Sequence, residues 1–191
     1  MPDAGRVIAG TARSIRLEAP GPGTRPLADR VKQTLFAVLD PDLPGSRFLD
    51  LFAGSGAAGI EALSRGAAHA TFVERDATAA RVIAANLART HLGHPDRVTL
   101  VRGDVLAWLT DPARRGEPST DLVVIDPPYA DREALGAALR AIGAVLAPGG
   151  RVVAKHFWRD TPPPEVGLLA SERERRFGET ALTFYRRVED A

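Results

Sequence analysis

From Arg47 onward, short apolar runs alternate with longer amphipathic ones, and few architectures accept such a pattern. "RFLDLF" reads as a strand that ends at glycines, and "AAGIEALSRGA" as a helix closed by Gly66. "HATFVE" is a second strand ending at Glu74. It is followed by "DATAARVIAANLARTHLG", a helix with Asp76 at its N-cap and Val82, Ile83 and Leu87 on one side. "RVTLVRGD" and "DLVVIDPPY" are the third and fourth strands, with a short helix around "VLAWLTD" between them. "DREALGAALRAIGAVLAPGG" is a helix stopped by Pro148-Gly149-Gly150, and "RVVAKHFW" is a fifth strand. "ASERERRFGETALTFYRRVED" supplies two more strands joined near Gly178. Such alternation predicts an α/β, Rossmann-like fold: a mostly parallel seven-stranded sheet with helices on both faces and an antiparallel hairpin at one edge. Ligands of such sheets sit at the carboxyl ends of the strands.

The first 45 residues differ: they carry six Lys or Arg with scattered Gly and Pro. Within them, "ADRVKQTLFAVL" has helical spacing of Val31, Leu35, Val38 and Leu39. We expect residues 1–45 to form a small basic extension packed on a main domain of residues 46–191. The net charge of +1 gives no global nucleic-acid signature, so any basic face must come from local clustering. No window approaches a membrane span and the N-terminus lacks the apolar core of a signal peptide, so a cytoplasmic monomer is expected. With no cysteine, disulfides, thiolate metal sites and cysteine nucleophiles are excluded. His91 and His94 flank Gly93 and precede Pro95 at a helix end, so no metal site is expected.

The run Gly54-Ser55-Gly56-Ala57-Ala58-Gly59 is a literal G-x-G-x-x-G between a strand and a helix, which alone suggests a dinucleotide. Asp50 argues otherwise. An acid four residues before Gly54 would repel a pyrophosphate and suit a cationic group, an ammonium or a sulfonium. Glu74, twenty residues beyond Gly54, stands where an acid takes ribose hydroxyls, and Asp104 would accept from an adenine amine. The ligand these residues specify is an adenosyl cofactor with a cationic tail and no phosphate. Acids also cap helices, and that use explains any one of these carboxylates better than it explains four at consecutive strand ends.

The fourth acid begins Asp126-Pro127-Pro128-Tyr129. Two prolines fix φ and remove two backbone donors, leaving a stiff loop of carbonyls beside a carboxylate. Such a loop suits an NH₂ group on an aromatic ring. Accepting its two N–H bonds at Asp126 and at the Pro127 carbonyl frees a lone pair otherwise delocalised into the ring. Tyr129 can stack on a flipped base.

"DLFAGSGAAGIEALSRGA", the Glu74 strand end and "DPPY" resemble class I S-adenosylmethionine-dependent methyltransferases acting on exocyclic amines. With "RVIAGTARSIRL", "GTRPLADRVKQTLFAVL" and "FGETALTFYRR", nearly the whole chain resembles the RsmD family. That resemblance implies methyl transfer from S-adenosyl-L-methionine to the N2 amine of a guanine in small-subunit (16S) ribosomal RNA, either free or within a subunit or assembly intermediate. It implies cofactor contacts at Asp50, Phe52, Gly54, Gly56, Glu74, Arg75, Asp104 and Val105, and catalysis at Asp126, Pro127 and Tyr129. RNA contact is expected at Arg6, Arg13, Arg25 and Arg30. Where the family often has an acid in the fifth strand this chain has Lys155, which we read, with His156, as an ordinary strand residue reaching solvent. The "ERERR" run, Glu172 to Arg176, reads as a solvated strand. DPPY alone leaves open adenine N6 in DNA, though no segment has the size of a target-recognition domain. A non-catalytic module binding NAD(H) or RNA is opposed by Asp50 and DPPY.

Overall fold

A computed structural model of the chain describes residues 3–21, 27–111, 113, 119–129 and 131–188. Arg25 and Pro26, in the segment expected to meet RNA, lie outside the described residues.

The chain opens with a hairpin, β1 (Asp3–Arg6) and β2 (Arg16–Glu18), followed by α1 (Asp29–Leu39). Then strands and helices alternate as the pattern requires: β3 (Arg47–Leu51), α2 (Ala57–Ser64), β4 (His69–Glu74), α3 (Ala77–Arg89), β5 (Val98–Arg102) and α4 (Val105–Thr110). After them come β6 (Thr120–Ile125), α5 (Arg132–Ala141), β7 (Leu146–Phe157), β8 (Glu165–Val166), β9 (Leu169–Phe177) and β10 (Thr180–Arg187). The main sheet runs β5-β4-β3-β6-β7-β10-β9-β8. Its first five strands are parallel, and β10 inserts antiparallel between β7 and β9.

Among the described residues the sheet therefore holds eight strands where seven were expected, and a separate two-stranded sheet precedes it. The eighth is β8, two residues long, folded back on β9 by a turn at Gly167, whose φ of 57° is left-handed. A two-residue strand carries no periodicity to read, and the same holds for the four- and three-residue strands of the N-terminal hairpin.

Two cores flank the sheet. On one face α1, α2 and α3 cover Phe48, Phe72, Leu122, Val153, Leu182 and Phe184. On the other, α4 and α5 cover Leu49, Val73, Val123, Val152 and Tyr185. The central strands β3 and β6 and the second half of β7 are buried on both sides, so they read as continuous apolar runs, whereas edge strand β9 is mostly exposed.

The N-terminal segment is fastened to the first face by polar bonds as well as by Ala4, Val7 and Leu17 of the same core. Glu61, fully buried on α2, accepts the N–H groups of Ile8 (2.7 Å) and Ala9 (3.0 Å). Buried Lys32 of α1 donates to the Arg6 carbonyl. Asn86 of α3 accepts from the Glu18 N–H and donates to the Glu18 and Ser55 carbonyls, each at 2.9 Å, tying β2 to the glycine loop.

Candidate active site

The carboxyl ends of β3, β4, β5 and β6 open on one cavity of about 710 Å³. Asp50, Glu74, Asp104 and Asp126 all line it, as the parallel register requires of four acids at four adjacent strand ends. Phe52, Gly54, Arg75, Val105, Pro127 and Tyr129 line it too, and Gly56 stands beside it as N-cap of α2.

Backbone geometry shapes the floor. Phe52, Gly54 and Gly56 have φ of 60°, 56° and 75°, left-handed in all three. Such a conformation in a bulky residue like Phe52 costs energy and is held by its surroundings, a condition common at ligand sites. At Gly56 the left-handed φ strains any L side chain, and a Cβ there would press on Ile83 at 3.2 Å. Helix α2 begins at Gly56, which has no side chain to cap it, and within its first turn the Gly59 N–H donates to Asp50 at the end of β3.

The acids divide between capping and the cavity. Asp50, 2 % exposed, accepts the Gly59 N–H at 2.8 Å. Burial pushes its carboxyl up to about 8; the Gly59 bond pulls the other way, and the charges of Asp126 and Glu74 add to the rise. Glu74 accepts the N–H groups of Gly54 and Asp76, both at 2.8 Å, and so holds the glycine loop against the β4–α3 turn. Asp104 caps α4 through the Ala107 N–H at 2.9 Å. Asp126 caps nothing: Asp131 does that for α5.

Asp126 instead binds a side chain. Its Oδ1 accepts from Lys155 Nζ at 2.6 Å. Burial raises the Asp126 pKa, and the Lys155 charge and hydrogen bond oppose that rise. The expectation that Lys155 reaches solvent is thus overturned, since only 9 % of it is exposed and its ammonium also lies 5.1 Å from the centre of the Tyr129 ring. The cause is strand order: β7 pairs in parallel with β6, Ile125 opposite Ala154, so the next residues, Asp126 and Lys155, meet at the rim. Only a reader who already had β6 beside β7 could have found Lys155 from its place at a strand end. His156 does not reach solvent either: it is buried on the other face, bonded to Thr183 Oγ1 and the Phe157 carbonyl, both at 2.9 Å.

Tyr129 is fixed by Thr180, hydroxyl to hydroxyl at 2.6 Å, and by a tilted contact with Phe157, 6.4 Å between ring centres. The Pro128 carbonyl takes the Asp131 N–H at 2.9 Å, whereas that of Pro127 receives no backbone N–H among the described residues. Of the arginines expected to meet RNA, Arg6, Arg13 and Arg30 are exposed and lie outside the cavity, and Arg6 donates to Asp29 at 3.2 Å. Residues that sequence reasoning passed over include Pro20, Gly21 and Leu27, which bring the N-terminal segment to the cavity wall.

This strand order, the antiparallel β10 and the glycine turn under a row of strand-end acids define a class I methyltransferase fold. Residues 5–186 match the family model described as Conserved hypothetical protein 95, and the chain belongs to that family, the family of RsmD. It is 38% identical over 185 residues to YlbH of Bacillus subtilis (strain 168), provisionally named an rRNA methyltransferase; the match covers 95% of this chain and 98% of that one. It is 41% identical over 125 residues to Ribosomal RNA small subunit methyltransferase D of Escherichia coli (strain K12), covering 65% of this chain and 60% of that protein. The solved structure of Escherichia coli yhhF, provisionally described as a methyltransferase, superposes with a TM-score of 0.83 at 32% identity, covering 95% of this chain and 97% of that one.

Proposed function

We propose that this chain transfers a methyl group from S-adenosyl-L-methionine to the exocyclic N2 amine of a guanine in small-subunit ribosomal RNA. The observation that carries the reading is that the Asp126–Tyr129 loop and the Asp50–Glu74 cradle face one cavity. The names of the relatives favour ribosomal RNA over DNA as the acceptor.

The cavity suits this cofactor: a buried acid at Asp50 for a cationic end, a glycine cradle in left-handed backbone, and acids at the next two strand ends for ribose and adenine. When bound, S-adenosylmethionine supplies an electrophilic methyl on a cationic sulfur. The protein's part is to position the acceptor. Asp126 and the Pro127 carbonyl accept the two N–H bonds of the guanine amine, drawing its lone pair out of the ring. Lys155 already satisfies Oδ1, so Oδ2 is the oxygen that meets the amine. Tyr129, anchored by Thr180, stacks on the base. As the N–C bond forms and the S–C bond breaks, the amine becomes cationic and sheds a proton toward Asp126 Oδ2 or water. Exposed Arg6, Arg13 and Arg30 contact RNA phosphates.

The test is transfer of tritium from labelled S-adenosylmethionine into small ribosomal subunits lacking the modification, followed by nucleoside analysis. Label in N2-methylguanosine is expected, and label in N6-methyladenosine would refute the assigned base. Asp126→Ala should abolish transfer with cofactor affinity nearly intact; full activity in that variant would refute the assigned mechanism.

A further inference from the structure

A second cavity, of about 780 Å³, lies between α1 and β9 on the sheet face that carries Lys155. One wall is the outer side of α1, with Gln33, Thr34 and Ala37, and the other is β9, with Arg173 and Arg175. Nothing in the proposed reaction uses it.

Sheet register gives this groove its direction. Leu182 of β10 stands opposite Lys155 on one side and Arg175 on the other. Paired residues share a face, so Arg175 sits two strand spacings, about 10 Å, from the residue bonded to Asp126. Arg173 follows on the same face, in a row with Phe184 and Val153. Helix α1 runs alongside: Leu27, just before it, lines the cofactor cavity, while Val38 near its end is bonded to Arg151. Arg151 closes the far end through Asp42 at 3.1 Å. Arg30, exposed one turn before Thr34, extends the α1 wall at the end nearer the cofactor cavity.

The charge is uneven. Arg151, Arg173 and Arg175 line the groove against a single acid, Glu172, which already faces Arg151 and Arg186 at 3.9 and 3.8 Å. Arg173 and Arg175 are exposed, and neither meets a carboxylate among the described residues; the Arg175 guanidinium bonds only the Glu174 carbonyl, at 3.1 Å. Two guanidiniums with no carboxylate partner among the described residues, on one strand and in a groove that Gln33 and Thr34 also line, form a set that grips phosphate oxygens.

Resting on the reading that the amine site accepts RNA, we propose that the groove between α1 and β9 holds the phosphate backbone of the nucleotides flanking the target base, with Arg173 and Arg175 as its contacts. The "ERERR" strand is then half structural and half substrate-binding. Its Glu172 braces Arg151, and its exposed arginines on the α1 side, Arg173 and Arg175, carry RNA to the amine site.

The experiment is filter binding of deproteinised 16S ribosomal RNA across a salt series, with wild type, Arg173→Glu/Arg175→Glu, and Arg81→Glu on the far helix α3 as a control for surface charge. Titration with S-adenosylmethionine checks that each variant is folded. The double variant should bind about tenfold or more weakly, and its slope of log affinity against log salt should be shallower by about 1.4–1.8, two phosphates' worth. Arg81→Glu should follow wild type. A double variant that matches wild type, or one that loses no more than Arg81→Glu does, overturns the groove. Methyl transfer measured on the same preparations is read separately. Binding lost in the double variant while wild type transfers no methyl to RNA would keep the groove and sink the functional reading.

Discussion

Asp50 is the residue whose chemistry can be followed furthest. Its carboxyl is buried and its pKa stands at about 8, so at pH 7 about nine-tenths of the ligand-free chains carry a proton there. A cationic ligand seated against Asp50 needs the anion, so binding must expel that proton. The penalty at pH 7 is about 1.4 kcal/mol, and affinity should fall about ninefold more between pH 7 and pH 6. Calorimetry of S-adenosylmethionine binding, in buffers of different ionisation enthalpy between about pH 6 and 7, reads this directly: about 0.9 proton released at pH 7. That range lies below the titration of an ordinary α-amino group, at about 7.7–8.0. Asp50→Asn should bind more weakly and release none. Heat independent of buffer, with affinity flat in pH, would refute the reasoning; release that persists in Asp50→Asn would assign the proton elsewhere. Stability has the opposite sign. A folded-state pKa above the unfolded one favours the native state fully below about pH 4, and that advantage is lost as pH rises through about 8. Asp50→Asn should flatten that limb.

Lys155→Met should leave cofactor affinity unchanged but move the acid limb of the transfer rate to higher pH. Asp126 accepts only as the anion and would lose the cation that holds its pKa down; Lys155→Arg should restore the limb, and an unmoved limb in the Met variant would refute the coupling. Gly59→Ala places a methyl 2.3 Å from the buried Phe72 ring, so urea unfolding should show a loss of about 1–3 kcal/mol despite the better helix former. A stabilised variant would show that the ring gives way. Asn86→Ala strands the Glu18 N–H and the Glu18 and Ser55 carbonyls, with an expected loss of about 1–3 kcal/mol in thermal melts and weaker cofactor binding through the loosened glycine loop. Unchanged cofactor binding would separate the loop from the strap.

The acids show where reading from sequence succeeds and where it stops. Their positions at strand ends follow from apolar runs ending in Asp or Glu, and that alone predicts one shared rim. Capping and ligand binding looked like rival uses. In the folded chain Asp50 and Asp104 each spend one oxygen on a helix N–H, Glu74 spends both on backbone, and Asp126 spends none. Side-chain bonds of that kind depend on where a turn places each N–H, which periodicity does not encode.

Sequence by itself determined the alternating α/β architecture, the glycine turn, the strand-end acids and the stiff Asp126–Tyr129 loop, because each depends on residues near one another along the chain. Tertiary structure alone decided that Lys155 meets Asp126, that α1 and β9 enclose an arginine groove, and that Asn86 ties residue 18 to residue 55. Those contacts join segments dozens of residues apart, set by strand order and by which helix covers which face. One row of a sheet brings together Asp126, Lys155 and Arg175, three residues that lie far apart in the chain and that no local pattern could have connected.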